Sequence, residues 1–172
     1  MLHRPQLRRK GGKRKSPRPF GPWLLLLLVA LLLPACESGG EEVSEADVEA
    51  IESSLGRYLP LMAEAYSTGN IEVLRDVAAE KEIATIHKLV SEKMAEGLFL
   101  DPTLIDFTIE EVNQWNNSNA FVTTVENWDL KVVAAGSDKV LSERAQRNRV
   151  KYQLKKKDGG WRVLYRSIEA TF

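Results

Sequence analysis

Apolar residues recur at intervals of three and four from Val48 through Ile51, Leu55, Leu59 and Met62 to Tyr66, and this spacing predicts an amphipathic helix over 44–67. Ser44 followed by Asp47 fits its start, because a hydroxyl can accept an orphan N–H while an acid in the first turn answers the helix dipole. Pro60 inside this stretch removes one backbone hydrogen bond and predicts a bend. Thr68-Gly69-Asn70 reads as a turn, and IEVLRDVAA as a short helix with Ile71, Leu74 and Val77 inward. A third helix is predicted over 81–96, with Ile83, Ile86, Val90 and Met94 on one face and Gly97 at its end. Asp101-Pro102 then closes the helical half.

The period changes after that point. The stretches 104–115, 120–133, 143–157 and 161–172 are rich in Val, Ile, Thr, Phe, Trp and Tyr and alternate over most of their length, which predicts strands. NNSN at 116–119, AAGSDK at 134–139 and DGG at 158–160 separate them, the last a strong hairpin signal. Helices first and an antiparallel meander second predict an α+β fold, with the N-terminal helices packed on one face of a curled antiparallel sheet.

The first 35 residues follow neither pattern. Residues 1–22 are rich in Arg, Lys, Pro and Gly, and WLLLLLVALLL at 23–33 is an apolar run ending at Pro34. A spanning helix needs roughly 20 apolar residues, whereas an export signal needs roughly 7–15. The run therefore reads as a signal peptide oriented by its basic flank. All eight basic residues before Cys36 lie between Arg4 and Arg18, so the zero formal charge of the chain hides a net of −8 over 36–172. The remainder is itself divided, with a net of −13 over 37–111 and +5 over 112–172.

Leu33-Pro34-Ala35-Cys36 resembles the bacterial lipobox, in which an apolar residue at −3 and a small one at −1 precede an acceptor cysteine. The resemblance implies removal of residues 1–35 and palmitate-type acylation of Cys36, leaving a lipoprotein on the exported face of a membrane. Two or more acyl chains suffice for stable anchoring. The acidic, Gly-containing segment 36–44 reads as a solvated tether before a domain at 45–172. Eight extended residues reach about 28 Å, which would keep the domain close to the bilayer.

The long first helix, TGNIEVLRDVA and the closing hairpin YQLKKKDGGWRVLYRSIEAT are similar to the nuclear transport factor two-like superfamily, and within it to the intermembrane domain of ARC-six-type division proteins. That resemblance implies a cone-shaped α+β fold whose interior holds a small molecule in many members. Candidate lining residues are Tyr66, His87, Trp115, Trp128 and Tyr152, all aromatic or imidazole groups at inward or boundary positions. His87 is the one ring suited to proton transfer near neutral pH, with Asp106 or Asp129 as the nearest thing to a carboxylate partner. Both acids alternate with apolar neighbours as solvent-facing strand residues do, so no catalytic residue is assigned and an isomerase- or dehydratase-like enzyme is the rival reading.

Alternation through 144–157 places Arg147, Arg149, Lys151 and Lys155 on one outer face, with Val150, Tyr152 and Leu154 inward. That face suits an envelope protein or another acidic partner, and a second copy of the chain is a further candidate. Nucleic acid is not expected as a partner of an exported chain with a net negative charge. One cysteine, one histidine beyond the leader and the absence of ligand spacings give no metal site, and no phosphate-binding or nucleophile-elbow motif occurs, so no cofactor is expected. The favoured expectation is a membrane-anchored, non-catalytic domain that binds a small apolar ligand or a protein, with a structural dimerisation module as a third alternative.

Overall fold

The structure is a computed structural model and describes residues 43–137 and 139–172. The expected signal peptide, the expected acceptor Cys36 and most of the segment read as a tether lie outside the described residues. Helix α1 spans Glu45–Thr68, a 3-10 turn spans Ile71–Leu74, and helix α2 spans Glu80–Ala95. Four strands follow: β1 Leu98–Asn116, β2 Asn119–Ala134, β3 Val140–Lys157 and β4 Gly160–Thr171. They form one antiparallel sheet in the order β1-β2-β3-β4. No helix among the described residues is long and apolar enough to cross a membrane.

Helix α1 begins where its cap chemistry directs. The Ser44 hydroxyl accepts the Asp47 N–H at 3.1 Å, and Gly69 ends the helix in a left-handed conformation, φ 78°. Pro60 lies on its exposed side, and the helix continues through it without interruption. Ile51, Leu55, Tyr58, Leu59, Met62 and Ala65 form a buried stripe that packs on the sheet together with Leu74, Ile83, Ile86 and Val90. Val122, Val150, Tyr152, Leu154 and Val163 answer from the inner face of the sheet.

Three expectations are corrected. The short helix after Asn70 stops at Leu74, because Val77 and Ala79 turn their backbones to Val163 instead: Val163 donates to the Val77 carbonyl at 2.9 Å, and Ala79 donates to the Val163 carbonyl at 2.8 Å. This parallel bridge covers part of the β4 edge. Asp101-Pro102 is not a break but part of β1, which tolerates proline because it is an edge strand with one side of its ladder unpaired. Met94 lies 47% exposed at the end of α2, its sulfur over Gly69, rather than in the core. Glu82, by contrast, is fully buried beside Ile83.

The sheet is irregular in a way that bends it. Pairing of β1 with β2 shifts register between Leu104 and Asp106, Ile109 and Glu111, and Gln114 and Asn116. Pairing of β3 with β4 shifts twice more, at Arg149/Val150 and at Gln153/Leu154. Each bulge adds twist and bends its strand, so the sheet curls around the helices. The β3–β4 hairpin closes on Asp158 and Gly159, φ 52° and 81°, between the paired residues Lys157 and Gly160. Two successive left-handed residues are what a tight primed turn requires.

Candidate functional site

Both α-helices and all four strands send at least one side chain to a cavity of about 130 Å³ between the helices and the inner face of the sheet. Met62 of α1, Leu89 of α2, Leu100 and Pro102 of β1, and Leu130 of β2 make its apolar walls. Ile168 of β4, half-exposed, stands where the cavity meets solvent. The remaining lining is Trp128 together with four polar groups: Tyr66, Gln146, Asn148 and Arg166. An apolar enclosure with a few placed polar groups is the usual composition of a small-molecule site.

The polar groups are held by a buried network. Arg166 donates from Nη2 to the Tyr66 hydroxyl at 3.2 Å, and its Nε lies 3.6 Å from Glu82 Oε1, an ion pair longer than a hydrogen bond. Tyr58 donates to the same Glu82 oxygen at 2.7 Å, while Glu82 Oε2 has no hydrogen-bond partner among the described residues. Burial works against the Arg166 charge, but the oxygens of Tyr66, Tyr58, Tyr152 and Glu126 outweigh it and raise its pKa further above its ordinary value. The guanidinium is therefore a permanent cation in the lining, with a side chain 18% exposed.

Behind Trp128 lies a second buried acid. Glu126 accepts from Thr124 at 2.9 Å, from Tyr152 at 2.5 Å and from the Trp128 indole at 2.9 Å. Burial, with the neighbouring Glu126 charge next, pushes the Tyr152 phenol well above its ordinary range. Tyr58 is raised for the same first reason, with Arg166 opposing and Glu82 adding to the shift. Both phenols thus remain O–H donors, and their rings meet edge to face at 6.1 Å.

The candidate residues separate on this geometry. Tyr66 and Trp128 line the cavity, and Tyr152 lies behind it, joined to it through Glu126 and Trp128. His87 and Trp115 lie elsewhere. His87 is exposed on the outer side of α2, one position past the buried Ile86, and Trp115 is 48% exposed and stacks on Phe121 at 4.6 Å. Asp106 is exposed and accepts the Asn127 amide at 2.5 Å, and Asp129 is not in the lining. Among the described residues no cluster of three or more His, Cys, Asp and Glu is placed to hold a metal.

Arg147, Arg149, Lys151 and Lys155 occupy alternate positions of β3, opposite in direction to the buried Val150, Tyr152 and Leu154. Of these four, Arg149 is paired with carboxylates, and two others lie over aromatic rings. Arg149 binds Glu110 at 2.8 Å and Glu169 at 2.6 Å, Lys151 sits over the Phe121 ring at 5.2 Å, and Arg147 over the Phe172 ring at 5.9 Å.

Arg166 and Asn148 in the polar lining, and Glu82 behind Arg166, do not stand out in the sequence. Regular alternation from Trp161 and Val163 would send Tyr165 inward and Arg166 outward. The register shift opposite Gln153/Leu154 reverses this, leaving Tyr165 exposed and bringing Arg166 under the helices. Glu126 and Asn148 obey simple alternation with Trp128 and Val150, so a polar residue in a core register was the available signal.

No protein-family model matches the chain, and no curated protein does. Solved structures similar to it include the following two. The intermembrane space region of chloroplast protein ARC6 is 15% identical over 70% of this chain and 94% of that one, with a TM-score of 0.62. A ketosteroid isomerase-like protein from Erwinia carotovora atroseptica SCRI1043 is 15% identical over 74% of this chain and 99% of that one, with a TM-score of 0.50. At such identity the likeness concerns the fold alone. Helices on a curled four-stranded antiparallel sheet, shared with these structures, give the chain a nuclear transport factor two-like α+β cone.

Proposed function

We propose that the protein is a lipoprotein, anchored through Cys36, whose cone binds a small and largely apolar ligand at the surface of the cell envelope without transforming it. The observation that carries the binding role is the cavity itself, with five apolar wall residues and four polar side chains in its lining. Its lining contains no imidazole and no carboxylate, so the groups present can hold and orient a molecule but offer no acid–base pair. The rival enzyme reading needs His87 and a carboxylate to converge, and His87 faces solvent outside the cavity. The anchor is supported by the lipobox-like Leu33-Pro34-Ala35-Cys36 and the apolar run before it. An envelope setting also suits the fold shared with the intermembrane space region of ARC6.

A second reading, a protein partner on the outer face of the sheet, is favoured by the exposed Trp115–Phe121 stack beside Lys151. Photo-crosslinking in intact cells separates the two. A diazirine-bearing leucine analogue at position 100 should yield low-mass adducts. A crosslinker at position 151 should yield none of protein size; a protein-sized adduct at 151 with nothing at 100 would favour the partner. For the anchor, Cys36→Ala should abolish incorporation of labelled fatty acid and leave the precursor uncleaved, and labelling that persists in this variant would refute it.

A further inference from the structure

We propose that the cavity is a receptor for an organic monoanion: a small carboxylate with an apolar tail, gripped by Asn148, Tyr66 and Arg166. This ligand class rests on the ligand-binding reading above and specifies what that site takes.

The hydrogen bonds around the lining leave donors facing the cavity and almost no acceptors. Asn148 Oδ1 accepts from Gln146 Nε2 at 2.9 Å and from the Thr171 hydroxyl at 2.9 Å. Both bonds fix the amide by its oxygen and leave Nδ2 as the free end of a buried side chain in the lining. The Tyr66 oxygen is occupied by Arg166 Nη2, which leaves its own hydrogen to donate. Arg166 supplies further N–H groups and the only formal charge in the lining. Trp128 contributes a ring and no donor, because Glu126 takes its indole N–H. Gln146 Oε1 is the one acceptor left against these three donor groups. A carboxylate satisfies such a set, since it accepts at both oxygens and is drawn to the guanidinium. An alcohol or hydrocarbon of the same length would leave buried donors unmatched.

Charge and size limit the class further. Glu82 at 3.6 Å and the Glu126 charge already answer Arg166, so a dianion such as a phosphate monoester is disfavoured, and a monoanion is held by the donor hydrogen bonds rather than by an excess of positive charge. A cavity of about 130 Å³ with Met62, Leu89 and Leu100 in its walls accepts a short aliphatic body, and the half-exposed Ile168 marks where a longer tail would leave.

The test is calorimetric titration of the full-length protein in detergent, with a micelle blank, using hexanoate and 1-hexanol as tail-matched probes. Hexanoate should bind at least ten-fold more tightly than 1-hexanol. Asn148→Asp, nearly isosteric, should weaken hexanoate at least ten-fold and leave 1-hexanol within two-fold, and Tyr66→Phe should weaken hexanoate by a smaller factor. Equal or tighter binding of 1-hexanol to the wild type would overturn the monoanion class and leave the ligand-binding reading standing. If neither probe binds while both leave the protein folded, both readings fall. Undiminished hexanoate binding in Asn148→Asp would place the carboxylate elsewhere and overturn the assignment.

Discussion

Glu126 has no exposed surface, yet three side chains donate to it: Thr124, Tyr152 and Trp128. A buried acid is tolerated only when its lone pairs are met, and removing it leaves the donors stranded. Glu126→Ala should therefore cost on the order of 3 kcal/mol, measured as a shift of the urea midpoint at constant slope. Asp47 is a different case, at the surface and tied to Lys156 at 3.0 Å, so that it joins the start of α1 to the end of β3. The Lys156 hydrogen bond, with Ser44 second, lowers its pKa below the ordinary 3.8. Because the folded value is depressed, the unfolded chain binds the proton first as pH falls. The resulting stability is present above the unfolded value and is lost as pH drops through the folded one. The stability advantage of wild type over Asp47→Asn should accordingly shrink as pH is lowered from neutral to below 3.8, which acid-series denaturation will show. A constant difference across that range would remove Asp47 from the acid response.

At the scale of elements, the β3–β4 turn and α1 make opposite demands on glycine. Gly159 sits at φ 81° with nothing within 4 Å of where a Cβ would be, so only backbone strain opposes a side chain there. Gly159→Ala should cost about 1 kcal/mol. Gly56, exposed in α1 and equally free of neighbours, should do the reverse: Gly56→Ala is expected to add about 0.5–1 kcal/mol. Equal effects of the two substitutions in thermal melts would contradict the left-handed turn. Periodicity shows α1, α2 and all four strands plainly, because each has one buried face. It fails where a long-range contact decides. The backbone of 77–79 looks helical by spacing and is taken by Val163 instead, and Asp101-Pro102 looks like a break until β1 is known to be an edge. The cavity was legible in part for the same reason. Tyr66 and Trp128 follow their element's period into it, whereas Arg166 enters through a bulge that no local pattern announces.

For the molecule as a whole, the chain is electrically divided, with a net of −13 over 37–111 and +5 over 112–172. In the folded domain this division is partly offset on β3, where Glu110 of β1 and Glu169 of β4 reach Arg149. Such exposed pairs contribute little each, but they lower the potential that an acidic partner would feel. The proposed binding role rests on the interior, where a permanent guanidinium and two fixed donors look into an apolar space. A lipid on Cys36 and a tether reaching about 28 Å would hold that cavity within reach of molecules leaving or entering a bilayer. The most direct measurement of this account is native mass spectrometry of the full-length protein taken from its own membrane in mild detergent, compared with Leu89→Trp, which fills the cavity from α2. The wild type should carry a low-mass adduct that denaturation releases, and the variant should carry none. A wild type without adduct, or an equal adduct on both proteins, would contradict a ligand held in the cone.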